Sequence, residues 1–418
     1  MRNILLVSTF IFVSPFISCE PKKDTWTIPA EFEKQEYIWF SWVPYGFLGG
    51  EPFYTTILQA VKEIHPYVKV KIYYGELPKF DKATTEKQIF EKLLENKIDT
   101  SRIELIFGNM VFGSLQDPGP VFLLDGKGNM ALADFRYQHP DKRAEEIDRH
   151  IAKQMNLPVV SSELFSEGGA WQTNGQGTML LVESVELDRN PKLTKEQIEN
   201  EYKRVLGVTK IIWLKNGPKE EEWKKLENGI YGIGTGGHID EFCRFTDTHT
   251  VLLAEVPAKD TVENPISKET FNRMETNYEI LKNSTLQDGK PFKIIRIPTM
   301  PLISKKVNYQ KLHPIEQSYF ANVTTDTVAF YLPAGYMNFV IANDIIITSK
   351  YWKEGLPEEY RLRDELAKAA LEKAFVSRKI VQIDCMPVHH DGAGLHCHSR
   401  NQPIKVAANR AGGLTACR

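Results

Sequence analysis

The segment Thr194-Lys195-Glu196-Gln197-Ile198-Glu199-Asn200-Glu201-Tyr202-Lys203-Arg204-Val205-Leu206-Gly207, running on into 208–214, is the clearest guide to the fold. A threonine with a glutamine three residues on can satisfy two free amides reciprocally at a helix start, the capping-box arrangement. Ile198, Tyr202, Val205 and Leu206 fall on one helical stripe. Gly207 is placed to end the helix, because glycine adopts the left-handed conformation found there. Residues 208–214 then read as a strand. One helix feeding one strand is the unit, and it recurs.

Upstream, Tyr37-Ile38-Trp39-Phe40-Ser41-Trp42 is a mainly aromatic run that reads as a buried strand. Helix 55–64, with Ile57, Ala60, Val61 and Ile64 at helical spacing, precedes the alternating strand 68–74. Helix 84–96 leads to Ile103–Phe107, and helix 145–156 leads through Leu157-Pro158 to Val159-Val160. Downstream, helix 268–282 is followed by strand 293–297, and helix 358–375 by strand 380–383. Sheet and helix alternate without a Ser- or Gly-rich linker, which predicts one α/β domain of about five helix-and-strand units.

Composition fits this reading. The 418 residues are 42% hydrophobic and 25% charged, with a mean hydropathy of −0.33. That is a globular chain long enough for a substantial core. A formal net charge of −2 gives no electrostatic case for nucleic acid.

The N-terminus reads differently. Arg2 precedes the largely apolar run 4–17, which is short for a membrane span. Phe16-Ile17-Ser18-Cys19 resembles the end of a bacterial lipoprotein signal, whose cysteine carries the lipid after cleavage. We therefore expect a leader over 1–18, a tether over 19–27, a folded domain over 28–405 and a tail over 406–418. The protein would be exported and held at a bacterial membrane through Cys19. The other cysteines, Cys243, Cys385, Cys397 and Cys417, are too few and scattered for a disulfide framework.

Unusual polar segments follow several of the strands. Gln116-Asp117-Pro118-Gly119-Pro120 reads alone as a turn, since Asp, Pro and Gly all suit turns. Ser166-Glu167-Gly168-Gly169-Ala170-Trp171 reads alone as a glycine turn with a solvated glutamate. The insert opening with Pro218-Lys219-Glu220 reads as a solvated surface helix. Gly232-Ile233-Gly234-Thr235-Gly236-Gly237-His238-Ile239-Asp240 lacks the spacing and lysine of a phosphate loop. It does place an imidazole and a carboxylate two residues apart, on one side if the segment is a strand. Gly392-Ala393-Gly394-Leu395-His396-Cys397-His398 sets one thiol between two imidazoles. By itself this window admits a nucleophile, a metal site built on Cys385, His389, His390, Cys397 and His398, or a loop.

Several of these segments resemble, in order, motifs of the agmatine deiminase and bacterial peptidylarginine deiminase family. The likeness rests on Ile28-Pro29-Ala30-Glu31-Phe32, Glu167-Gly168-Gly169, Asn174-Gly175-Gln176-Gly177-Thr178 and Asn190-Pro191. It continues in Gly237-His238-Ile239-Asp240, Tyr336-Met337-Asn338-Phe339 and Leu395-His396-Cys397. The resemblance implies the pentein fold, a five-bladed α/β propeller with a central active site.

It also implies roles. Cys397 would attack a guanidinium carbon, and His238 would protonate the departing ammonia and then activate water. Asp117 and Asp240 would grip the guanidinium nitrogens, Glu167 would orient His238, and Asn338 would line the site. No metal or organic cofactor is implied. The substrate would be a small guanidine, agmatine giving N-carbamoylputrescine, or else arginine within a peptide. A surface-anchored guanidine binder that has kept the pocket is the non-enzymatic alternative. Relatives acting on agmatine commonly show Arg-Asp-Thr-Gly-Pro and Gly-Gly-Asn-Ile-His-Cys, so this chain keeps the acid and the thiol while their neighbours differ. The motifs favour agmatine; an exported address favours peptidylarginine.

Overall fold

The structure is a computed structural model that describes residues 26–76, 81–320 and 323–405. The expected leader, Cys19, Cys417 and the tail 406–418 lie outside the described residues. Helix Lys195–Leu206 forms as its sequence predicts. Thr194 Oγ1 accepts from the Gln197 amide at 3.2 Å, and the Thr194 amide donates to Gln197 Oε1 at 2.8 Å. Gly207 ends the helix with φ 67°. Ile198, Tyr202, Val205 and Leu206 are buried in one cluster with Met179, Leu181 and Trp171. A cap is worth about 1 kcal/mol, whereas each large apolar side chain contributes about 1.5–3 kcal/mol on burial. The stripe, more than the cap, holds the helix in place.

Among the described residues, eighteen strands form six sheets. The first holds β1 (Gln35–Ser41), β2 (Lys69–Tyr74) and β3 (Ile103–Phe107). Next come β4 (Val121–Leu124), β5 (Met130–Arg136) and β6 (Val159–Phe165), then β7 (Trp171–Thr173), β8 (Thr178–Val182) and β9 (Lys210–Leu214). A further sheet joins β10 (Cys243–Phe245), β11 (Thr250–Glu255) and β12 (Lys293–Pro298). The hairpin β13 (Ser304–Asn308) and β14 (Thr327–Tyr331) stands apart. The last described strands are β15 (Val340–Ala342), β16 (Ile345–Lys350), β17 (Lys379–Asp384) and β18 (Ser399–Pro403).

One pairing rule runs through the chain. Strands β4/β5, β7/β8, β10/β11 and β15/β16 are antiparallel. Strands β5/β6, β8/β9, β11/β12 and β16/β17 are parallel. A parallel neighbour needs a crossover connection, usually a helix. The crossovers here carry helices Ile147–Met155, Lys195–Leu206, Pro265–Lys282 and Glu358–Ala374. The first sheet lacks an antiparallel strand of its own, and β18 supplies it by pairing with β1, Phe40 opposite Ser399. The last described strand thus completes the first sheet.

Where the reading fell short, the reason is local. The antiparallel strands are mostly three to five residues long, too short to show a period. The insert after Pro218 is not a solvated helix but a single 3₁₀ turn, Lys219–Glu221, with Lys219 and Glu221 buried. The lysine's charge is met by other side chains: Lys219 Nζ lies 3.0 Å from Glu222 and 3.1 Å from Glu227. No helix among the described residues is long and apolar enough to cross a membrane.

Candidate active site

Five of the six predicted site residues occupy equivalent places in five different sheets. Asp117 lies in the loop just before β4, Glu167 just before β7, Asp240 just before β10, Asn338 just before β15 and Cys397 just before β18. Each loop follows the strand that completes one sheet or hairpin and feeds the antiparallel strand of the next. The repeated connection therefore delivers one polar side chain per sheet. His238 arrives on the same loop as Asp240.

These loops converge. Gly169 marks the meeting point: a Cβ there would lie 2.7 Å from His238 Nδ1, 3.1 Å from Asp117 Oδ1 and 3.1 Å from Asp240 Oδ2. Its own amide donates to Asp117 Oδ1 at 3.2 Å. Only a residue without a side chain permits this approach. His238 and Asp240 do not share a strand face as the spacing suggested. Ile239–Glu241 is a 3₁₀ turn, and it buries Asp240 and the adjacent Glu241 together.

The imidazole is held from one side. His238 Nε2 is 2.7 Å from Glu167 Oε2, while Nδ1 has no hydrogen-bond partner and lies 3.7 Å from Asp117 Oδ1. Burial opposes charge on the ring, but Asp117, Glu167 and Asp240 outweigh it and raise its pKa to about 9. Burial likewise opposes charge on Glu167, yet the hydrogen bond and charge of His238, with Arg189, hold it down to about 2. Asp117 goes the other way, raised to about 6 by burial and by the charges of Glu167 and Asp240, with His238 opposing. The expectation of a solvated Glu167 does not hold, because the side chain turns inward to the imidazole.

The sulfur sits among carboxylates. Cys397 Sγ is 3.6 Å from Asp240 Oδ2 and 3.8 Å from Glu241 Oε1. Asn338 Nδ2 approaches the sulfur to 3.2 Å. Asn338 Oδ1 accepts from the amides of His396 and Cys397 at 2.7 and 3.2 Å. One amide side chain thus fixes the backbone of the thiol and touches the thiol itself. Burial, then the charges of Asp240, Glu241 and Asp117, push the Cys397 pKa well above its ordinary value. A cation placed among those carboxylates would favour the thiolate.

Behind this cluster lies a network that the sequence reading did not assign. His396 Nδ1 is 2.8 Å from Asp240 Oδ2, and its Nε2 is 2.9 Å from Glu31 Oε1. Glu31 also pairs with the buried Arg244 guanidinium. Glu31 stands within the Ile28–Phe32 motif, but its partners are distant in sequence, so no local signal names them. Glu241 was hidden by the assumption of strand alternation, and Arg189 by standing one residue before the Asn190-Pro191 motif.

The metal reading of the C-terminal window is not assembled. His389, His390 and His398 turn Nδ1 toward the carbonyls of Ala393, Leu48 and Gly394, at 3.0, 3.2 and 2.9 Å. Among the described residues, the set close enough to hold an ion is Asp240, Glu241 and Cys397, whose ligand atoms lie within 4.8 Å of one another.

A buried thiol beside an imidazole–carboxylate pair and further acids is equipment for nucleophilic hydrolysis. The chain belongs to the Porphyromonas-type peptidyl-arginine deiminase family, whose model matches residues 27–403, and is a hydrolase acting on carbon–nitrogen bonds. It is similar to the agmatine deiminase of Pseudomonas aeruginosa, 24% identical over 92% of this chain and 97% of that protein. Among solved structures it resembles the agmatine deiminase of Enterococcus faecalis, with TM-score 0.71 and 22% identity, covering 92% of this chain and 97% of that one. The C. jejuni agmatine deiminase with substrate bound gives TM-score 0.65 and 20% identity, over 90% and 96%. These likenesses show a shared α/β fold.

Proposed function

We propose that this chain is a guanidine deiminase with Cys397 as nucleophile, converting agmatine to N-carbamoylputrescine and ammonia. The observation that carries the reading is the convergence of Asp117, His238 and Asp240 around Gly169, with the Cys397 sulfur 3.6 Å from Asp240. Asp240 Oδ1 and His238 Nδ1 are buried there without hydrogen-bond partners. Buried polar atoms are rarely left so, and a planar cation offers N–H donors suited to a pair of carboxylates.

In the proposed course, the guanidinium settles between Asp117 and Asp240, and its charge favours loss of the Cys397 proton to solvent, where the departing ammonia later takes one up. Sulfur bonds to the guanidinium carbon, and one nitrogen leaves as ammonia carrying a proton from His238. The imidazole, now neutral, takes a proton from water as the water oxygen bonds to the same carbon. Collapse breaks the carbon–sulfur bond as the new hydroxyl's proton passes to the sulfur, leaving the ureido product, the free thiol and a protonated His238. The balance needs no cofactor.

The same proposal takes the five larger sheets as blades of a closed pentein propeller around this site, a reading supported by the pairing of β18 with β1. It also includes export and a lipid at Cys19, which rest on the leader sequence. The family's description favours a second reading, arginine within peptides. A panel of agmatine, free arginine and arginine peptides, scored for ammonia and ureido product, tests both. Turnover of agmatine above the others supports the first reading, and turnover of peptides alone replaces it with the second. Binding without turnover of any guanidine would leave a non-catalytic binder.

A further inference from the structure

Asp391 follows helix Met386–His389 in the loop that leads to Cys397. Its Oδ2 lies 3.7 Å from Nε2 of His398, the residue after the nucleophile. His398 is fully buried, and that nitrogen has no hydrogen-bond partner. The other ring nitrogen is committed to the Gly394 carbonyl at 2.9 Å, and the ring packs perpendicular to Phe53 with centroids 5.2 Å apart. A Cβ on Gly113 would lie 3.2 Å from Asp391 Oδ2 and 3.4 Å from His398 Nε2. Gly113 belongs to the loop that carries Asp117, so the pair is built against the same wall as the guanidinium grip.

The surroundings lack a counter-charge. Among the described residues, no lysine or arginine pairs with Asp391. Burial keeps His398 neutral, with its pKa lowered to about 4, and pushes the Asp391 carboxyl up to about 7. The neighbours are aromatic: the phenols of Tyr45 and Tyr319 feel the Asp391 charge. That of Tyr137 feels Asp391 together with Asp117 and Glu167. Tyr45 is exposed, so one of these rings reaches the surface. An acid without a cation, beside aromatic rings that suit methylene groups, asks for a positive charge from outside.

We propose that Asp391, with the unprotonated Nε2 of His398 as a second acceptor, selects the substrate's far end by taking a primary ammonium carried on a short alkyl chain from the guanidinium. This rests on the deiminase reading and deepens it. A charge-assisted contact to an ammonium favours agmatine. The neutral tail of a peptidylarginine gains nothing there, and the carboxylate of free arginine is repelled.

The test compares kcat/KM for agmatine with that for n-butylguanidine, which has the same chain length and no ammonium, in the full chain and in Asp391→Asn. The parent should prefer agmatine, and Asp391→Asn should lower the preference at least tenfold, mainly through KM. Asp391→Glu, which retains the carboxylate, should recover part of it. A ratio measured within one preparation is independent of how much protein has folded. An unchanged ratio in Asp391→Asn overturns the inference and leaves the deiminase reading standing. A parent that turns over no guanidine overturns both.

Discussion

Arg189 Nε donates to both oxygens of Glu167, at 2.9 and 3.2 Å, and Glu167 in turn meets His238 Nε2 at 2.7 Å. The carboxylate is clasped from behind by a permanent cation and faces an imidazole in front. It can therefore hold a proton on His238 without being protonated itself.

This yields a pH prediction. His238, raised to about 9, keeps its acid proton below that value and loses it as pH rises through about 9, so kcat/KM should fall there. Removing the carboxylate charge in Glu167→Gln should move this limb downward toward about 6.5 and lower kcat about ten- to hundredfold. A limb that stays near 9 in the variant would show that Glu167 does not set the acid.

Cys397→Ala should lose turnover by more than about a thousandfold, since the proposed reaction runs through a covalent bond to this sulfur. Asp117 and Asp240 remain to hold the cation, so calorimetry should still detect agmatine binding. A variant as active as the parent would remove the thiol from the chemistry.

Asp117→Asn should separate function from stability. The folded protein raises this carboxyl from 3.8 to about 6, so its charged form is disfavoured by folding. That cost is absent below the unfolded pKa, grows as pH rises from about 4 and is complete above about 6. The variant should be inactive yet more stable than the parent at pH 8, by about 1–3 kcal/mol, with the gain vanishing near pH 4. Thermal melts at both pH values check the sign.

Glu31→Gln should destabilise. Glu31 joins His396 and the buried Arg244, and in spite of its burial their charges hold its carboxyl below the ordinary range. Its contribution is present above the unfolded pKa and is lost as pH falls through the folded one. Removing one partner of a buried ion pair typically costs about 3 kcal/mol or more, readable as a lower urea midpoint at neutral pH.

Much of the architecture was legible because helices such as Lys195–Leu206 carry their own caps, stripe and stop. The strands between units were not, since stretches such as Trp171–Thr173 and Cys243–Phe245 acquire their identity from the neighbour they pair with. Within the site, Cys397, His238, Glu167, Asp117, Asp240 and Asn338 were reached through motif likeness, and the structure brings them together. Glu241 and Glu31 needed coordinates. Glu241 faces inward because a 3₁₀ turn breaks the alternation, and Glu31 matters through residues hundreds of positions away. The misjudged Pro218 insert shows the same limit: charge in a sequence says nothing about whether its partner is water or another side chain.

The strand that fastens onto β1 begins two residues after Cys397. During synthesis the sulfur therefore emerges late among the described residues, and its seat takes form only once β1 and β18 have met. A product terminated ahead of Cys397 lacks both this thiol and the clasp, so a complete site reports that synthesis had passed β18.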